Sequence, residues 1–105
     1  MKSVCLDVVK TAVIGFLKND DVEVMLFGSR ARGDNNAASD IDIAVLPGGG
    51  FDKRRLTLLR DYLEELNVPY KIEIVDLSKT SEDFKEEVFR YAQVWKESLS
   101  GIRAL

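Results

Sequence analysis

Two apolar runs, 22–27 and 41–46, have the length and composition of strands, and the residues joining them constrain this chain more than any other segment. The first run ends on Gly28-Ser29, and the second opens with Asp40-Ile41-Asp42. A glycine turn offers backbone N–H groups and lets a phosphate come close. Acids two residues apart on a strand project to the same face. Such a pair repels itself unless something positive stands between the carboxylates. Mg²⁺ favours carboxylates combined with substrate phosphates. Turn and acids together therefore predict a Mg²⁺-dependent site for a nucleoside triphosphate, with Gly28 and Ser29 at the phosphates and Asp40 and Asp42 at the metal.

Either half alone would be weak, since Gly-Ser ends many strands and solvated acids are common at sheet ends. The run 41–46 is apolar enough for an interior strand, where two acids on one face are costly unless paired or metal-bound. Arg30 and Arg32 follow the turn and stand either as solvated charges or as partners of the triphosphate. Gly28 and Gly33 have the glycine spacing of a P-loop, but Asp34-Asn35 follow where Lys-Ser or Lys-Thr is required.

The 105 residues suit one domain, placed at 1–97, with a patternless tail at 98–105. A net charge of -3, both signs well mixed, gives no strong nucleic-acid signal. No apolar run is long enough to span a membrane, no signal peptide is evident, and the single cysteine, Cys5, cannot form an internal disulfide. A cytoplasmic location is the expectation. The chain has no histidine, so acid, base and ligand work falls to carboxylates, Lys, Tyr or Cys5. Cys5 itself reads as a core residue, with no neighbour in sequence to lower its pKa.

Ser3 can cap a first helix, whose apolar face runs Cys5, Val8, Val9, Ala12, Val13, Phe16. Residues 34–38 form a polar spacer and Pro47 to Gly50 a loop. Leu56, Leu59, Leu63 and Leu66 mark a helix over 53–67, stopped by Asn67 and Pro69. A third strand is predicted at 70–75. Thr80 and Asp83 fit a capping box for a last helix with Phe84, Val88, Tyr91 and Trp95 on its core face. The fold class is α/β (α+β): a small mixed sheet covered by helices, with one face partly open so that the acids reach solvent.

Glu73 enters the site by alternation. If Ile72 and Ile74 face the core, Glu73 faces the opposite side of the sheet, as Asp40 and Asp42 do. Asp76 shares the parity of the isoleucines and is the poorer candidate. Lys71 shares the parity of Glu73, and stands either to neutralise charge at the site or as a solvated strand-end lysine.

The ordered set of apolar strand, Gly28-Ser29, Ala31-Arg32-Gly33, Ser39-Asp40-Ile41-Asp42 and apolar strand resembles the nucleotidyltransferase superfamily of the DNA polymerase β type. It is most similar to the minimal nucleotidyltransferases, small stand-alone members often paired with a helical toxin of the HEPN family. The resemblance runs from the first helix to about Trp95. It implies the polymerase β-like fold, favours Arg32 over Arg30 at the triphosphate, and expects a third acid on a later strand. Glu73 occupies that place, where the family usually has Asp.

The expected activity is Mg²⁺-dependent transfer of AMP from ATP to an acceptor hydroxyl. Two ions would share Asp40 and Asp42, one of them leaning on Glu73. A chain this short carries no added domain to grip an acceptor, so a separate protein or a second copy of itself would supply that surface. The resemblance implies a HEPN toxin as that partner and an antitoxin role for this chain. Two alternatives stay open: a catalytically weak nucleotide-binding module that inhibits a partner by docking alone, and a nucleotide-sensing subunit of a larger complex.

Overall fold

Burial on both sides accounts for the sequence of strand β2 (Ile41–Pro47): it lies inside a four-stranded sheet and is buried at five of its seven positions. Its neighbours are β1 (Val22–Phe27), antiparallel, and β3 (Ile72–Asp76), parallel. Strand β4 (Gln93–Lys96) pairs antiparallel with the far edge of β1, giving the order β3-β2-β1-β4. The computed structural model describes residues 2–33 and 40–99. The spacer at 34–38, the side chains of Ser3 and Cys5, and the tail beyond Leu99 lie outside the described residues.

The period-two pattern splits the strands between two cores. Val22, Val24, Leu26, Ile41, Ile43, Val45 and Ile74 face helices α1 (Lys2–Leu17) and α3 (Arg54–Glu64). Helix α3 is the crossover that a parallel β2–β3 pair requires. The opposite face contributes Met25 and Ala44 to a smaller core closed by Leu77 and by Val88 of α4 (Glu82–Tyr91). This roof stops short of the sheet end that carries Asp42 and Glu73, both half-buried, so the expected partly open face is present.

Polar ties fix α3 to the end of α1 and β4 to the start of β1. Arg55 donates from Nε to Asp20 (2.9 Å) and from Nη2 to the Phe16 carbonyl (2.8 Å), while its guanidinium lies over the Phe16 ring. Lys96 donates to the carbonyls of Asp20 and Val22, anchoring β4 beside the start of β1.

Several local expectations are corrected. Trp95 lies on β4, not on the last helix, which ends at Tyr91. The cause is a change to extended geometry at Ala92 (ψ 150), after which the chain pairs with β1 and sets Trp95 half-buried against the larger core. Of the helix's supposed core face, Val88 is buried, whereas Phe84 and Tyr91 are exposed. The cap of α4 is Ser81, whose hydroxyl accepts the Phe84 N–H (3.1 Å). Thr80 instead closes the preceding 3₁₀ turn by donating to the Leu77 carbonyl. The buried stripe of α1 is Val9, Val13 and Leu17, so Val8 turns outward at 44% exposure. Helix α3 ends at Glu64, three residues early, and Asn67 takes the left-handed conformation (φ 57) that asparagine tolerates.

The packing predicts a sharp contrast between two truncations. Leu59→Ala removes a fully buried side chain from between α3 and the sheet and should cost roughly 2–5 kcal/mol in urea unfolding. Val8→Ala should change stability by no more than about 0.5 kcal/mol. Equal costs would contradict the placement of the α1 face.

Candidate active site

Gly28 is shaped by Asp42. It adopts φ 78 and ψ -157, a conformation open to glycine, and an ideal Cβ there would stand 2.5 Å from Asp42 Oδ2. The closeness follows from register, since the preceding Phe27 pairs directly with Asp42 across β1 and β2. The Gly28 carbonyl accepts the N–H groups of Ala31 and Arg32, opening the one-turn helix α2 (Ser29–Arg32). Gly33, left-handed at φ 82, closes the turn by donating to the Ser29 carbonyl. Ser29 and Arg30 are half-buried and Arg32 is exposed. Gln93 of β4 supports the turn by donating to the Ala31 carbonyl (3.2 Å).

The acids line up across strands. Asp42 pairs with Glu73 across β2 and β3, so Phe27, Asp42 and Glu73 form a row on one face. Asp40 immediately precedes β2, and its charge is felt at Asp42. The Asp42 pKa is raised by burial, then by the Glu73 and Asp40 carboxylates, against the opposing pull of Arg30 and Lys71. Arg30 is held over this group by two contacts: Nε donates to the Asp40 carbonyl (3.2 Å), and the guanidinium lies 4.8 Å from the centre of the Tyr70 ring. Lys71 Nζ sits 2.8 Å from Glu73 Oε1. The Lys71 pKa is raised by that hydrogen bond and charge, then by Asp40 and Asp42.

The structure thus brings Asp40, Asp42, Glu73, Gly28 and Arg30 to one end of the sheet, with Ser29 and Arg32 on the adjoining turn. Asp76 is elsewhere in function as well as parity. Its buried carboxylate accepts from the N–H and hydroxyl of Ser78 and faces Lys53 at 3.5 Å. Burial alone would raise its pKa, but the Ser78 bonds and the Lys53 charge hold it below the usual range. Tyr70 was not singled out by sequence. Its signal was its position after Pro69, at the entry to the strand that carries Glu73. A groove of about 570 Å³ runs beside Glu73, lined by Tyr70, Lys71 and Ile72 on one side and by Arg60 and Leu63 of α3 on the other.

Among the described residues, no three acidic or other metal-ligating side chains converge closely enough to hold an ion. The donor set nevertheless fits Mg²⁺ in kind. It is all oxygen, it is negative, and its members raise the proton affinity of Asp42, so a cation at this end of the sheet would relieve repulsion now offset in part by Arg30 and Lys71.

Comparison with known proteins agrees with this architecture. Residues 12–98 match the family described as Polymerase beta, Nucleotidyltransferase, and the chain belongs to it. A curated relative from Haemophilus influenzae, “Probable protein adenylyltransferase MntA”, is 31% identical over 97 residues, 92% of this chain and 83% of the relative. A crystal structure of a toxin–antitoxin with AMP-PNP matches with a TM-score of 0.68 at 23% identity, over 90% of this chain and 78% of that one. The complex of tri-AMPylated Shewanella oneidensis HEPN toxin with MNT antitoxin matches with a TM-score of 0.64 at 20% identity, over 99% of this chain and 79% of that one. At those identities the likeness is one of fold. The chain is therefore a nucleotidyltransferase-family protein, similar to the Haemophilus influenzae relative named MntA. No helix among the described residues is long and apolar enough to cross a membrane.

The raised Asp42 pKa has a defined consequence. The folded state binds this proton more tightly than the unfolded chain, so the associated stability is present at low pH and lost as pH rises through the folded pKa. Asp42→Asn removes that loss. With divalent metal chelated, the variant should melt at a higher temperature than the parent at pH 7, and the gap should close as pH falls below the ordinary aspartate range. Identical melting at pH 7 would contradict the repulsion described.

Proposed function

We propose that this chain is a Mg²⁺-dependent adenylyltransferase. It would move AMP from ATP to a hydroxyl of a partner protein, a small helical HEPN-type toxin, and so act as its antitoxin in the cytoplasm. The observation that carries the reading is the alignment of Asp42 with Glu73, with Gly28 pressed against Asp42. The names borne by the MntA relative and by the AMPylated HEPN complex support the choice of AMP and of partner.

Asp40, Asp42 and Glu73 would hold the metal. When bound, Mg²⁺ neutralises phosphate charge and lowers the pKa of an attacking hydroxyl. Gly28, bare of Cβ, lets the phosphate-binding turn lie directly against Asp42, and Ser29 would offer its N–H and hydroxyl to a phosphate. Arg30 and Arg32 place positive charge along the triphosphate, Arg30 already oriented by Tyr70 and the Asp40 carbonyl. The transfer forms a bond from the acceptor oxygen to the α-phosphorus and breaks the bond to pyrophosphate, which leaves. With no histidine in the chain, the acceptor proton passes to a carboxylate of this set or to water. Charge complementarity and positioning carry such a reaction.

One observation favours a second reading. Lys71 already occupies Glu73 at 2.8 Å, which suits a binding module that restrains its partner by docking alone. Coexpression of the chain with a HEPN-type toxin separates the two. The parent should place AMP on a partner hydroxyl, seen by mass spectrometry, and protect cells. Glu73→Gln should bind Mg²⁺-ATP and the partner yet neither transfer AMP nor protect. Protection by the variant with no AMP on the partner in either case would overturn the enzyme reading and favour docking.

A further inference from the structure

Phe84 lies outside both cores. It belongs to the first turn of α4, the helix that closes the smaller core, and is 39% exposed. Its ring meets that of Phe27 edge to face, with centroids 6.0 Å apart. Phe27 is half-buried, immediately precedes Gly28, and pairs with Asp42. An exposed phenylalanine on its own needs no explanation. This one is joined through a single ring to the row of acids and to the turn that would receive phosphate. Its backbone is also fixed, because the Phe84 N–H is the group that the Ser81 cap accepts.

We infer that the Phe84 ring, braced by Phe27, is the platform on which the base of the bound nucleotide stacks. The inference rests on the nucleotide reading above and extends it from phosphate to base. The sheet end supplies charge for the phosphates; of the rings beside it, Tyr70 already carries the Arg30 guanidinium 4.8 Å from its centre, whereas Phe84 is exposed and joined to Phe27. Every base has a π-face, so stacking separates nucleotides from bare polyphosphate without choosing strongly among bases.

Calorimetry with Mg²⁺ and three ligands, ATP, GTP and tripolyphosphate, tests this on parent, Phe84→Leu and Phe84→Trp. Phe84→Leu should bind both nucleotides about fivefold or more weakly and tripolyphosphate as the parent does, and Phe84→Trp should restore nucleotide binding. Unchanged ATP affinity in Phe84→Leu overturns the inference. So does an equal loss for tripolyphosphate, which would make the ring a support of the phosphate turn. Unchanged binding with loss of AMP transfer also overturns it and assigns the ring to the acceptor. A parent that binds tripolyphosphate but ATP no more tightly overturns the platform alone, whereas a parent that binds none of the three overturns the nucleotide reading and the platform with it.

Discussion

The hydrogen-bonded ladder that holds β2 between β1 and β3 decides which side chains of this chain can meet. It sets Phe27 opposite Asp42 and Asp42 opposite Glu73, residues drawn from three separate stretches of sequence. A slip of one residue in either pairing would turn Asp42 or Glu73 into the larger core, where a lone carboxylate is costly. The apolar partners on the other face, Ile41, Ile43, Val45 and Ile74, enforce the register by their own burial. Core packing and site assembly are thus consequences of one constraint, and Gly28 is the local concession to it, bare of Cβ where Asp42 comes close.

Electrostatics at this end of the sheet is balanced but not neutralised. Asp42 is pressed by burial and by two other carboxylates, while Arg30 and Lys71 pull the other way. Neither cation lies in the strand interior. Lys71 sits at the entry to β3 and reaches Glu73, and Arg30 is steered in from α2 by a ring and a carbonyl. In the proposed site, Lys71 would give up Glu73 to a divalent ion while Arg30, already placed, would meet the triphosphate. On the metal-site reading proposed above, repulsion left in the free protein would become affinity for a cation, a trade of stability for function known at active sites.

What could be read from sequence followed the strength of local pattern. The strands at 22–27 and 41–46 are near-continuous apolar runs, and the parity argument put Glu73 on the face of Asp42, where the structure has it. The glycine turn was visible because Gly28 and Gly33 punctuate a segment with no other reason to break. The end of the chain was harder. Val94-Trp95 continues the helical spacing of Phe84, Val88 and Tyr91, and only pairing with the exposed edge of β1 makes it a strand, a long-range contact that no local period encodes. The same error hid Phe84, which the helical period assigned to the core but which stays exposed in the first turn of α4. Tyr70 was missed because its role depends on Arg30, forty residues earlier in the chain and adjacent only after β3 joins β2.

On the proposed reading, strand register gathers one cation-binding nucleotide site from Gly28, Asp42 and Glu73. Paramagnetic line broadening by Mn²⁺ in the presence of ATP reads this most directly, since Mn²⁺ accepts the same oxygen ligands as Mg²⁺. In an amide NMR spectrum of the parent protein, Gly28, Ser29, Asp42 and Glu73 should broaden first and together, well before Val13 of α1 or Leu59 of α3. Early broadening centred elsewhere, or spread evenly over the chain, would contradict the claim.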